Sequence, residues 1–383
     1  MSVAALSAAN SYTPPTARKP KNWEGSMRFG IFWPGTRTLL PSERISAMNP
    51  DVLVLDHQLE LARACEHVAL DLVLLGDGYA PSSEEGTRMG FQDPGMHALI
   101  LAAPIIMATK HLGVISTLHT TFFHPAHIAR FGANMDWLSG GRWGWNIVNG
   151  YRDYEASLFG FKELPDSATM YDAADEAVAI IESLWDGTHR TEFSGSHYDC
   201  HGKMKGPYPA ERPLFVCAGA SDRGQRFTAQ HCEYLFASPT YLSDLPKIKV
   251  GLARHAAEAN KAHAPEVLVV ADLMIRDEPG EAKALFDDLM ASIESNEAGK
   301  KWTSQIGKLR HEAKTPLKFP HFVGTAAEVA EQLIEANKQN ELTGVLFRLP
   351  VWSAQEVLRL GPVFEILERA GVRRHPAARE YSW

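Results

Sequence analysis

Asp136-Trp-Leu-Ser-Gly-Gly-Arg-Trp-Gly-Trp-Asn-Ile-Val-Asn-Gly150 is the stretch on which the fold assignment turns. Leu138-Ser139 closes a helix, and Gly140-Gly141 can supply the positive φ that a helix C-cap requires. Arg142 to Val148 is rich in aromatic and β-branched residues and stops at Gly150, which predicts a buried strand. Two amides, Asn146 and Asn149, stand at the strand exit. Such amides read either as turn formers or as site residues, because parallel α/β folds carry their chemistry at strand C-termini.

The same pattern extends in both directions. Apolar runs predict strands at 27–35, 71–77, 112–119, 213–220, 233–238, 266–275 and 343–350, besides the one at 142–148. Helical periodicity predicts helices at 53–70, 97–110, 124–138, 168–185, 242–260, 278–296, 325–340 and 354–370, and one more after Ser221. Pro125 opens its helix at a position where the missing N–H does no harm. Thr325 and Glu328 form a capping box. Eight strands alternating with helices predict an α/β fold, a (β/α)8 TIM barrel, over a doubly wound sheet. No GxGxxG follows the first strand, which weakens the dinucleotide-binding alternative. Residues 1–25, rich in Ala, Ser and Pro and then basic, read as a flexible arm, and 26–383 as a single domain. Within it, 188–200 reads as a hairpin insertion. The polar stretch 298–322 reads as an irregular loop, with or without a role as a lid.

Composition narrows the function. A formal net charge of −8 disfavours nucleic acid and anionic membranes as partners. No apolar run reaches membrane-spanning length. Four cysteines without CxxC spacing suggest reduced thiols in a cytoplasmic protein. The predicted strand ends hold Trp33, Asp77, Gly78, Thr117, His119, Asn146, Asn149, Ser221, Asp272 and Arg348. This set has no dominant carboxylate pair, and Asp77 and Glu155 are too distant in barrel order to presume one. It has no metal-ligand spacing and no central lysine. A site of amides, hydroxyls and aromatics suggests that a cofactor performs the chemistry. The small-residue turn Cys217-Ala-Gly-Ala-Ser-Asp-Arg-Gly224 leads into a helix N-terminus, which reads as a phosphate anchor or as an ordinary serine cap.

Leu138-Ser-Gly-Gly-Arg142, Asn146-Ile-Val-Asn-Gly150, Glu155, the helix start at Tyr171 and Ala218-Gly-Ala-Ser221 together resemble the bacterial-luciferase-like flavin monooxygenases. The similarity is greatest to the branch of pyrimidine monooxygenase and dimethylsulfone monooxygenase, and it runs from Met27 to the final helix. The resemblance implies a (β/α)8 barrel that binds reduced FMN, supplied by a separate NAD(P)H:flavin reductase, and activates O2 as a flavin peroxide. It implies oxidation of a small nitrogen- or sulfur-bearing compound, with or without bond cleavage, by a homodimer or homotetramer. Carried over by residue, Thr117 and Asn146 match positions flanking the reactive edge and oxygen pocket. Asp77, Gly78, Glu155, Met170 and Tyr171 match flavin contacts, and Ser221 matches the phosphate anchor. Trp33, His119, Phe122 and Trp145 are candidate substrate contacts in a dry aromatic pocket. Two alternatives stay open: a deazaflavin (F420)-dependent dehydrogenase on the same barrel, and a non-catalytic flavin-binding relative.

Overall fold

The computed structural model describes residues 26–150, 152–302 and 319–382. The predicted arm at 1–25 lies outside them, as does most of the predicted loop at 298–322. Strands β1 (Arg28–Trp33), β2 (Leu72–Leu75), β3 (Gly113–His119) and β4 (Trp143–Val148) lie side by side, all parallel. A hairpin follows, β5 (Thr191–Ser194) with β6 (Asp199–Gly202), ending two residues beyond the predicted insertion. The barrel resumes with β7 (Leu214–Cys217), β8 (Tyr234–Ala237) and β9 (Glu266–Ile275). β10 (His321–Gly324) pairs only with the far end of β9, and β11 (Gly344–Arg348) pairs with β9 and β1, closing the ring. The closed circuit is β1-β2-β3-β4-β7-β8-β9-β11, the predicted (β/α)8 barrel.

The region 298–322 departs from the expectation at both ends. Residues 297–302 are helical, and 321–324 form β10. β9 is ten residues long and outruns its barrel neighbours, so its last residues have free edges that β10 satisfies. Two short helices, Glu43–Met48 and Glu84–Met89, were not anticipated. Each is about a turn and a half long and held by a serine cap (Ser42 and Ser83), too short to show a periodicity.

Alternation along the strands sorts the side chains into two cores. Leu72, Leu74, Ile115, Val216, Tyr234, Leu268 and Leu346 fill the barrel, with Phe32, Leu214 and Phe236 packed on them. Gly30 stands in the same layer because a Cβ there would lie 2.5 Å from the Leu72 carbonyl oxygen. The residues of opposite parity, including Trp33, Trp143 and Trp145, belong to the larger core between barrel and helices. Gly132 lets the helix Pro125–Ser139 approach that core. A Cβ at this position would meet the Trp143 and Trp185 rings at 2.8 Å.

The opening stretch folds as read. Gly140 and Gly141 take φ of 64° and 81° and end the helix. Arg142 has a structural task. Its guanidinium donates to the carbonyls of Ile106, Thr109, Leu112 and Ser139, tying the end of the helix Ala98–Ala108 and the residues after it to the start of β4. Asn149 is a turn former, whose Oδ1 accepts from Thr120 Oγ1 at 2.7 Å.

Candidate flavin site at the strand ends

The β3–β4 register places Thr117 directly beside Asn146, both facing the barrel interior near its C-terminal mouth and both buried. Thr117 Oγ1 donates to the Leu75 carbonyl at 2.7 Å, so its remaining capacity is as an acceptor. Asn146 Nδ2 fills it at 2.9 Å. This fixes the amide orientation and turns Asn146 Oδ1 away from the pair, where it has no hydrogen-bond partner. A buried carbonyl left in that state costs roughly 1–3 kcal/mol, which a ligand N–H would recover. Thr117's own proton is committed, so Thr117 acts on the site by holding Asn146.

The second cluster lies at the β7 exit. The helix Asp222–His231 starts there, with Ser221 Oγ accepting from Gly224 N. Tyr171, in the helix Ser167–Asp186, points its hydroxyl at the turn. A Cβ at Gly219 would lie 1.9 Å from Tyr171 Oη and 3.0 Å from Gly224 Cα. Only a residue without a side chain lets the two backbones and the phenol meet. Burial keeps the Tyr171 hydroxyl protonated well beyond the usual range, with Cys217 adding to the effect. Arg223 lies 5.3 Å from the Tyr171 ring centroid and is held by Asp172 and Asp175. Free helix N–H groups, a phenol and a nearby guanidinium are groups that could hold a phosphate. Met170, half-buried, precedes Tyr171 in the same helix.

The third cluster joins β2 to the segment after β4. Asp77 Oδ2 accepts from Ala98 N at 2.7 Å, Oδ1 from Gly78 N at 2.8 Å, and His97 Nε2 lies 3.3 Å from Oδ2. Glu155 accepts from Tyr79 N at 3.0 Å and from Arg152 at 3.1 Å, and a Cβ at Gly78 would lie 2.7 Å from its Oε1. Sequence reading held Asp77 and Glu155 too distant in barrel order to presume a pair. The chain after β4 instead folds back over the mouth, and the two carboxylates flank Gly78. Burial pushes the Asp77 carboxyl above its usual range, and Glu155 adds to this, while His97 and the amides of Ala98 and Gly78 pull the other way.

Two candidate substrate contacts are corrected by strand parity. Trp33 points to the helices, where its Nε1 donates to Gln58 Oε1 at 2.7 Å. Trp145 also faces outward, donating to the Leu118 carbonyl and packing edge-on against Phe215. Both rings are core. His119 and Phe122 do reach the mouth, among Tyr79, Phe123 and Phe159. Burial, helped by Arg152 and His97, pushes the His119 imidazole down to about 4, so it is neutral near pH 7.

Sequence reading missed a buried ion pair. Arg348 and Asp272 face each other across β11 and β9, with Nε–Oδ1 at 2.6 Å and Nη2–Oδ2 at 2.9 Å. The Phe319 ring lies 4.2 Å from the guanidinium. The available signal was a charged residue ending each of two apolar strands. Their 76-residue separation hid the pairing.

A closed parallel barrel with an amide acceptor, a small-residue turn at a helix N-terminus and a carboxylate cluster at its strand C-termini defines a TIM-barrel protein with its candidate site at that end. The chain belongs to the luciferase-like monooxygenase family, whose model matches residues 27–340. It is 31% identical over 205 residues to the dibenzothiophene-sulfone monooxygenase of Rhodococcus erythropolis, covering 46% of this chain and 45% of that protein. It is 31% identical over 198 residues to the pyrimidine monooxygenase RutA of Cronobacter sakazakii, covering 51% and 58%. The chain thus spans about half the length of the curated relatives it matches. A riboflavin lyase crystallised with modified FMN and riboflavin shares the fold at TM-score 0.82 and 23% identity, covering 91% of this chain and 93% of that one. Among the described residues no helix is long and apolar enough to cross a membrane.

Proposed function

We propose that this chain is the oxygenase component of a two-component monooxygenase, using reduced FMN from a separate flavin reductase and O2 to oxidise a small nitrogen- or sulfur-containing compound. The observation that carries the proposal is Asn146 Oδ1. It is a buried acceptor without a partner, oriented by Thr117, at the mouth of a barrel that also holds a phosphate cradle. These residues fit FMN. Ser221, Tyr171 and the first amides of the helix Asp222–His231 would hold the phosphate, Asn146 a ring N–H, and Gly78, Glu155 and Met170 would line the flavin. When bound, the flavin supplies the electrons and the oxygen-activating centre. The protein orients its polar edge through Asn146 and keeps water away with the aromatic side chains, and around Gly78 the charged groups Asp77, His97, Arg152 and Glu155 are already paired with neighbours.

The relatives' names, a sulfone and a pyrimidine monooxygenase, support a nitrogen- or sulfur-bearing substrate. Four free cysteines, three of them buried, accord with a reducing cytoplasm. The test is oxygen uptake with chemically reduced FMN or with a reductase, on a panel of heterocycles, amides and sulfones under labelled O2. One labelled oxygen atom in the product is expected. Turnover that persists anaerobically with F420 would replace this reading with the dehydrogenase alternative. Reduced-FMN binding without any oxidised product would favour the non-catalytic one.

A further inference from the structure

The aromatic side of the mouth has chemistry that the flavin contacts do not use. Phe122, after β3, and Phe159, on the turn Ser157–Phe159, stack with centroids 4.3 Å apart and planes 7° off parallel. Phe159 is 41% exposed, so the stack reaches solvent at the rim. The Tyr79 ring stands edge-on to both, at 5.6 Å and 5.0 Å. Tyr79 is also placed as a donor. Leu99 N donates to His97 Nδ1, so in neutral His97 the proton sits on Nε2. That N–H points at Tyr79 Oη, 3.1 Å away, and at Asp77 Oδ2. His97 therefore cannot accept the phenol's hydrogen, and no other acceptor for it exists among the described residues. Burial and the charges of Asp77 and Glu155 raise the phenol's pKa and keep it protonated. The carboxylates are themselves occupied, Asp77 by His97 and two amides and Glu155 by Arg152 and the Tyr79 amide.

We infer that this corner of the mouth is the substrate subsite, and that it takes a neutral, planar aromatic ring bearing a hydrogen-bond acceptor. Phe159 and Phe122 are the stacking platform, and the Tyr79 hydroxyl is the donor that reads the acceptor. A flat ring continues the existing stack. A neutral ring suits a corner whose charges are already paired. An acceptor meets a phenol proton that the protein leaves unused. His97 and Asp77 are positioning residues, which hold the Tyr79 oxygen and keep its proton outward.

The inference rests on the monooxygenase reading but can be tested without turnover. Binding to the full chain without flavin is measured by calorimetry with four probes. Chromone is flat, neutral and carries a carbonyl acceptor. Naphthalene lacks the acceptor, 2-decalone lacks the flat ring, and chromone-2-carboxylate adds a charge. Chromone is expected to bind about tenfold or more tighter than each of the others, the scale of one hydrogen bond or one stacking contact. Tyr79→Phe should bring chromone down to the affinity of naphthalene and leave naphthalene unchanged. Phe159→Ala, a change on an exposed ring, should weaken both. Chromone binding no tighter than 2-decalone, or unaltered by both substitutions, overturns the inference. An FMN titration in parallel separates the two claims. FMN binding intact with chromone indifferent removes the aromatic subsite alone, whereas loss of both removes the function proposed above.

Discussion

Replacing Gly219 with alanine probes the proposed phosphate cradle most directly. The φ of Gly219 lies outside the left-handed region, so alanine can adopt the backbone, and the effect is purely steric. Its Cβ would stand 1.9 Å from Tyr171 Oη and 3.0 Å from Gly224 Cα. Non-bonded atoms prefer about 3.5–4.0 Å. The phenol must therefore retreat by roughly 1.5 Å or the helix start must shift. Overpacking of this kind costs roughly 1–3 kcal/mol of stability. A hydrogen bond to a charged phosphate is worth roughly 1.5–3 kcal/mol, so displacing the hydroxyl should weaken FMN binding roughly 10- to 100-fold. The assay is a paired titration with FMN and riboflavin, alongside a melting curve. Riboflavin lacks the phosphate, and its affinity should hardly change. Adding Tyr171→Phe to Gly219→Ala removes the closest clash, and should recover stability without recovering FMN affinity. Wild-type FMN affinity in Gly219→Ala, or an equal loss for riboflavin, would refute the placement of the phosphate at this turn.

Three further outcomes are expected. Thr117→Val strips the partner from the buried Asn146 amide nitrogen, while the Leu75 carbonyl loses a side-chain bond but keeps its place in the β2–β3 ladder. The orphaned amide costs about 1–3 kcal/mol, so urea denaturation should show a loss in that range, and turnover with reduced FMN should fall as Asn146 loses its orientation. Asp272→Ala leaves a buried guanidinium without its carboxylate, at roughly 3–5 kcal/mol. Asp272→Leu with Arg348→Met should recover most of the stability, and a double variant no better than the single one would contradict an ion-pair origin. His119 titrates at about 4 in the fold against 6.5 when unperturbed. Between these values the unfolded chain binds the extra proton, so this contribution to stability is fully present above pH 6.5. It falls as pH drops and levels off near pH 4, a span of roughly 3 kcal/mol. His119→Gln should flatten that part of the stability–pH curve, and an unchanged slope would place the titrating group elsewhere.

Much of the fold was readable in the one-dimensional pattern. Buried parallel strands are continuous apolar runs, and helix ends carry side-chain caps such as Ser221 and the Thr325–Glu328 box. The seam between strand and helix at Gly140-Gly141 was readable for the same local reason. The candidate site was readable in part, because strand-end position brings Thr117 and Asn146 to the mouth and Ser221 to the turn after β7. Trp33 and Trp145 were misplaced because an apolar run gives no phase. When both faces of a strand are covered, composition does not say which residues face the barrel and which face the helices.

Local sequence therefore determined the elements, their order and the polar residues at strand exits, since these depend on backbone preference and on apolar periodicity within a few residues. Only tertiary structure decided which side chains meet. The closed register set Thr117 beside Asn146 and Arg348 beside Asp272. The fold-back after β4 brought Glu155 to Gly78, and the approach of two helices put the Tyr171 hydroxyl against Gly219. Those meetings depend on the positions of strands and loops far apart in the chain, and a hydrogen bond or a steric contact is decided over a few tenths of an ångström. Residue order alone does not specify distances on that scale.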